Sequence, residues 1–187
     1  IAEETPARSS FGLPGEGFVF CSFNHDYKIN PPVFAVWMRL LNAVPGSVLW
    51  LMKLNEDAQT HILREAQAAG VVPERIIFAT RVPRIEDHLA RYRLADLFLD
   101  THPYNAHTTA NDAIRSGLPL LTMLGGSFPS RVAASLLTTL GMHELIASSI
   151  EDYEAKALGW AKDPASLLAV RERMAALLKD THLFNTR

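Results

Sequence analysis

Residues 94–117 read LADLFLDTHPYNAHTTANDAIRSG. An apolar run ends in Asp100, a turn-forming stretch follows, and a helical pattern over 109–116 opens after His107-Thr108 and stops before Gly117. An apolar run of this length, interrupted only by Asp96, fits a buried strand. A glycine just past a helical pattern supplies the left-handed residue that ends many helices. Strand, polar loop and helix in that order make the repeating step of a parallel α/β sheet.

The same step recurs in both directions. Toward the N-terminus, FVFCSF (18–23), SVLWLMK (47–53) and RIIFAT (75–80) read as further buried strands. Helical spacing over 33–44, 56–69 and 85–93 separates them. Pro31 and Pro32 suit a helix start, where no N–H is needed, and Pro45-Gly46 stops the first helix. Toward the C-terminus, LPLLTML (118–124) predicts a fifth strand and PSRVAASLLTTLG (129–141) a helix ended by Gly141. ELIA (144–147) suits a short sixth strand, and helices over 150–162 and 164–180 meet at Pro164. The expectation is a three-layer, Rossmann-like parallel sheet flanked by helices, occupying 18–187 behind a polar, turn-rich lead-in at 1–17. No internal repeat or low-complexity segment is present.

Composition narrows the classes. The chain has 187 residues, 48% hydrophobic and 20% charged, with net charge −2. That is enough apolar material for a core, and it excludes a disordered or fibrous chain. A balance so close to neutral gives no field for nucleic acid or an acidic membrane. The apolar run SVLWLMKL is far too short to span a bilayer. The single cysteine, Cys21, can form no internal disulfide, which favours a reducing, cytoplasmic setting. Both ends have the look of cuts, so the chain reads as a fragment of a longer protein.

In open parallel sheets ligands sit beyond the carboxyl ends of the strands. The unusual residues of this chain lie in those loops. Around 107–112 two readings stand side by side. Thr108 or Thr109 caps the helix, with Thr109-x-x-Asp112 resembling a capping box. Alternatively, free N–H groups at the helix start, with threonine hydroxyls beside them, hold a phosphate while Asp112 accepts from ribose hydroxyls. In FNHDYKINP, Lys28 is either a pyrophosphate counter-charge or a solvated surface lysine, and His25 either donates to the same phosphates or caps a turn. In TRVPRIEDH, Arg81, Arg84 and His88 either stack on a base or solvate a loop. No G-x-G-x-x-G and no P-loop follows any strand, so standard dinucleotide and Walker-type sites are disfavoured. His102 and His107 are five apart with no carboxylate or Cys at ligand spacing, so no metal is expected. There is no G-x-S-x-G elbow, and Trp37, Trp50 and Trp160 fall on apolar faces as core residues.

Taken together, FCSFNHDYKINP, VPGSVLWLMK, RIIFATRVPRIEDHLARYRLADLFLDTHPYNAHTTANDAI, SRVAASLLTTLG and the closing LFNTR resemble the C-terminal catalytic lobe of O-linked N-acetylglucosamine transferases. The likeness runs from about Phe11 to Arg187. It implies a GT-B enzyme, with two Rossmann-like lobes facing across a cleft and UDP-N-acetylglucosamine held by this one. On that resemblance Lys28 matches the lysine at the diphosphate, and His107, Thr108 and Thr109 the phosphate-binding His-Thr-Thr. Asp112 matches the ribose aspartate, and the backbone around Val82, with Arg84 and His88, the uridine loop. The resemblance further implies a metal-free donor site, a protein acceptor, a missing N-terminal lobe and tetratricopeptide repeats upstream. Three departures stand out: His25 where many members have Gln, Arg84 where they often have Lys, and TMLGGSFPSR without the Pro and Glu of their PGE. The competing readings are a non-catalytic nucleotide- or protein-binding α/β module, and a related UDP-sugar enzyme of the N-glycosyltransferase or epimerase type.

Overall fold

A computed structural model describes residues 1–184; the last three positions of the closing LFNTR motif lie outside the described residues. Among the described residues six parallel strands form one sheet: β1 (Val19–Ser22), β2 (Val48–Met52), β3 (Ile76–Ala79), β4 (Leu97–Leu99), β5 (Leu120–Met123) and β6 (Ile146–Ala147). Their order across the sheet is β3-β2-β1-β4-β5-β6. The chain builds outward from β1 to β3, then returns to the centre and builds the other way. The reversal falls between β1 and β4, where Phe20 lies beside Leu97 and Cys21 beside Phe98. In such sheets ligands sit in the crevice beyond the carboxyl ends of the two strands at this reversal.

Among the described residues seven α-helices flank the sheet: α1 (Pro31–Ala43), α2 (Glu56–Ala68), α3 (Ile85–Ala90), α4 (Thr108–Arg115), α5 (Val132–Leu140), α6 (Ile150–Lys162) and α7 (Pro164–Asp180). Side chains alternate along each strand, so every strand feeds two cores. Phe20, Leu49, Leu51, Leu97, Leu99 and Leu121 pack under α1, α2 and α6, with Trp37 and Tyr153 in that layer. Val19, Cys21, Val48, Trp50, Phe98 and Leu120 pack under the α3–α5 side, where Met174 of α7 closes the layer. This two-sided burial explains why the strands read as unbroken apolar runs rather than alternating ones. Trp37 and Trp50 are fully buried, and Trp160 packs against both layers. Cys21 is fully buried in the central strand, and burial pushes its thiol well above the ordinary range. No helix among the described residues is long and apolar enough to cross a membrane.

The strands are shorter than the apolar runs predict, for visible reasons. The run at 94–100 yields a strand only at 97–99 because Leu94 ends a 3-10 turn begun at Arg91. The Asp96 carboxylate accepts from the Val19 amide at 2.7 Å, and Asp100 turns inward to receive the following loop. Residues Arg8–Phe11 of the lead-in form a 3-10 turn. That turn is fastened to the domain by Arg8 on Asp96 and by Phe11 edge-on to Trp50.

Candidate functional site

The crevice between β1 and β4 is built from three pieces: the loop after β1 (23–30), the loop after β4 (100–107) and the first turn of α4. The first piece carries Lys28. Asp26–Lys28 make a 3-10 turn that folds the lysine back over the sheet end, leaving it only 9% exposed. Its ammonium donates to the Asn105 carbonyl at 2.9 Å and sits 4.1 Å from the centre of the Tyr104 ring. Burial lowers its pKa, and the Asp100 carboxylate partly opposes that effect. A solvated surface lysine is therefore not what the fold makes of Lys28. The charge is held against the segment that feeds α4.

The second piece is organised by Asp100, which is fully buried. Its Oδ1 accepts from the amides of Thr101 at 2.8 Å and Ala106 at 2.6 Å, and from Asn24 Nδ2 at 3.3 Å. Its Oδ2 accepts from the Thr122 hydroxyl at 2.7 Å. Burial pushes this carboxyl up to about 7, with those hydrogen bonds acting in the opposite direction. Inside the loop, Asn105 Nδ2 donates to the Thr101 carbonyl and the Thr101 hydroxyl to the Tyr104 carbonyl. The His102-Pro103 bond is cis.

The third piece is the start of α4. The expected capping box does not form. The N-cap residue is His107, whose side chain makes no cap bond, and the Thr109 hydroxyl donates to Asn24 Oδ1 at 2.9 Å instead of turning back on its own helix. The helix starts at Thr108, so Thr109 lies within its first turn and the N-cap position is held by His107, at φ −112 and ψ −87. The first amides of α4 thus keep the positive end of the helix free of any side-chain cap among the described residues. Thr108 is exposed beside them, while His107 Nε2 is buried with no hydrogen-bond partner among the described residues.

Asp112, one turn into α4, faces α3. Its Oδ2 lies 3.8 Å from His88 Nε2. Arg91 Nη2 lies 2.7 Å from His88 Nδ1, and a guanidinium can only donate, so Nδ1 accepts and Nε2 carries the proton toward Asp112. Arg91 is itself buried, bonded to the Thr80 carbonyl and stacked over Phe23. The β3–α3 loop is thereby pinned to the site. The remaining expected residues are less engaged. Arg84 is exposed and pairs at 3.6 and 3.8 Å with Glu86 and Asp87 of its own helix. Val82 is half-buried in the loop preceding it. His25 is exposed and stacks on Tyr27, which in turn meets Tyr104 edge-on at the rim.

The structure thus ties Lys28 to the segment leading into α4, Thr109 to the loop after β1 and Asp112 to His88 of α3, and leaves His25 and Arg84 exposed and Val82 half-buried. Sequence reading gives no role to Asn24, Asp100, Asn105, Tyr104 or Arg91. An acid closing a strand beside the crevice is a usable signal for Asp100; nothing local marks Asn24 or Arg91. Among the described residues no group of three or more His, Cys, Asp or Glu gathers as a metal site. The chemistry on offer is anion binding by an ammonium and free amides, with a carboxylate one turn away for hydroxyl groups.

The model of glycosyl transferase family 41 matches residues 4–187. A probable UDP-N-acetylglucosamine–peptide N-acetylglucosaminyltransferase, SEC, of Arabidopsis thaliana is 37% identical over 182 residues, 97% of this chain and 18% of that protein. The Caenorhabditis elegans UDP-N-acetylglucosamine–peptide N-acetylglucosaminyltransferase is 36% identical over 181 residues, 97% of this chain and 16% of that protein. The chain therefore spans less than a fifth of either relative. Among solved structures, a mutant O-GlcNAc transferase of Thermobaculum terrenum superposes with a TM-score of 0.81 at 33% identity, over 90% of this chain and 32% of that one. The C-terminal domain of a group 1 glycosyl transferase from Francisella tularensis superposes with a TM-score of 0.68 at 14% identity, over 95% of this chain and 92% of that one, a likeness of fold alone.

Proposed function

We propose that this chain, which belongs to glycosyl transferase family 41, is the donor-binding lobe of a GT-B enzyme that transfers N-acetylglucosamine from UDP to Ser or Thr hydroxyls of proteins, with inversion. The observation that carries this reading is the buried Lys28 ammonium bonded to the Asn105 carbonyl, on the segment leading into the uncapped start of α4. Two sources of positive potential converge where a pyrophosphate would rest.

In the proposed reaction the acceptor oxygen attacks the anomeric carbon as the bond from that carbon to the β-phosphate oxygen breaks. The electron pair leaves with UDP, and the acceptor proton passes to a base outside this chain. Lys28, the α4 amides and the Thr108 hydroxyl stabilise the negative charge that grows on the departing diphosphate. Preorganised donors of this kind contribute several kcal/mol in comparable sites, on the order of 3 kcal/mol for a single donor. They fill the part that a divalent cation plays elsewhere, so donor binding proceeds without metal. Asp112 accepts from the ribose hydroxyls, with His88 held behind it by Arg91. The loop around Val82, with Arg84, meets the uracil, and His25 approaches the phosphates from the rim. The facing lobe and tetratricopeptide repeats belong to a longer cytoplasmic parent, and the acceptor is a separate protein. The 187-residue chain alone binds UDP weakly and does not turn over.

Isothermal titration with UDP tests the assignment. Lys28→Ala and Asp112→Asn are each expected to weaken binding about tenfold, close to 1.4 kcal/mol. Equal affinity in both variants and the parent chain would remove the nucleotide from this crevice. Substantial transferase activity from the purified chain would overturn the division of labour between lobes.

A further inference from the structure

The hydrogen bonds around Asn24 have only one consistent set of directions. The Thr101 hydroxyl spends its proton on the Tyr104 carbonyl, so its oxygen accepts from Asn24 Nδ2 at 2.9 Å. Asp100 Oδ1 also accepts from that nitrogen. The amide of Asn24 is therefore fixed with its nitrogen toward β4 and its oxygen toward α4, where it takes the Thr109 hydroxyl proton. Asn24 is 2% exposed and Asp100 1% exposed, so neither relaxes into water. Asn24 and Lys28, four residues apart in the β1 loop, thus hold the 100–109 segment at Asp100, Thr101 and Thr109 through Asn24 and at the Asn105 carbonyl through Lys28.

We infer that Asp100 and Asn24 are positioning residues of the diphosphate cradle, orienting Thr109 and setting the start of α4 against the Lys28 ammonium. The inference rests on the nucleotide reading above. It also revises the part played by the two threonines. The Thr109 proton is committed to Asn24, so Thr109 offers a bound phosphate its amide, and Thr108 alone keeps a hydroxyl proton to give.

The essential atom of Asp100 is Oδ1, which accepts three of the four bonds, while Oδ2 meets only a hydroxyl that can rotate to accept. Asparagine can keep that pattern, with its oxygen at Oδ1 and its nitrogen donating to Thr122; an apolar side chain cannot. The titratable groups facing Asp100 are Lys28 from the β1 loop and Tyr153 from α6, whose hydroxyl donates to the Asp100 carbonyl.

The test is titration of the purified chain with UDP and with uridine, the latter lacking phosphate. Asp100→Asn is expected to bind UDP within about twofold of the parent chain. Asp100→Leu and Thr109→Val are each expected to lose about tenfold for UDP, with uridine binding unchanged. A folded Asp100→Leu with parent-like UDP affinity would overturn the inference, as would Asp100→Asn failing like Leu or uridine weakening in parallel with UDP. Where Asp100→Leu does not fold, Thr109→Val decides on the same two ligands. Loss in Lys28→Ala with none in the other variants sinks only the positioning role; no loss in Lys28→Ala sinks the cradle itself.

Discussion

Asp100 sets function against stability within one side chain. Its carboxyl titrates near 7 in the folded protein against an ordinary 3.8, because burial disfavours the charge more than four donors favour it. Between those values the folded state binds a proton that the unfolded chain has lost. Stability from this group is therefore fully present below about pH 4 and is lost as pH rises toward about 7. Asp100→Asn removes the slope. Urea unfolding at about pH 5 and about pH 8 is expected to show the parent chain losing stability relative to Asp100→Asn, on the order of 2 kcal/mol. An unchanged difference between the two proteins would mean that Asp100 is not held as described. His107, Thr108, Thr109 and Asp112 were legible in the sequence because they are contiguous and follow a strand. Asn24 was not, because its partners Asp100, Thr101 and Thr109 lie 76, 77 and 85 residues away along the chain and meet it only once the fold has formed.

The helices divide by how they begin. Side chains of Asn30, Asn55, Ser149 and Asp163 accept from the first turns of α1, α2, α6 and α7. Those of α3, α4 and α5 receive no such bond, and α4 is the one that opens into the crevice. Asn55 Oδ1 takes the Ala58 amide at 2.8 Å, so Asn55→Ala is expected to cost about 1 kcal/mol in chemical denaturation, with UDP binding untouched. Parent-like stability would show that this cap contributes nothing. Element types were legible from apolar runs and helical spacing, since each strand faces two cores and each helix one. The α4 start was not. S/T-x-x-D reads as a capping box, but α4 begins at Thr108, so the N-cap position falls to His107 and Thr109 lies inside the helix. The register at which the 100–107 loop hands over to α4 thus puts His107, and not a threonine, at the helix end.

For the whole molecule, alternation of strands and helices made a layered parallel sheet legible, but not its strand order. Nothing along the chain announces that β4 returns to the centre to pair with β1, yet that return creates the crevice. The order follows from which apolar faces find one another: Phe98 joins the core under α4 and α5, while Leu97 and Leu99 join the one under α1 and α6. Cys21, the chain's single thiol, stands beside Phe98 in that central pairing. A soluble disulfide reagent can reach it only when the middle of the sheet parts, so its labelling rate is a built-in clock for that opening. UDP is expected to slow the clock in the parent chain, and to slow it less at the same concentration in Lys28→Ala. Fast labelling under native conditions would mean the centre of the sheet breathes far more than its packing implies.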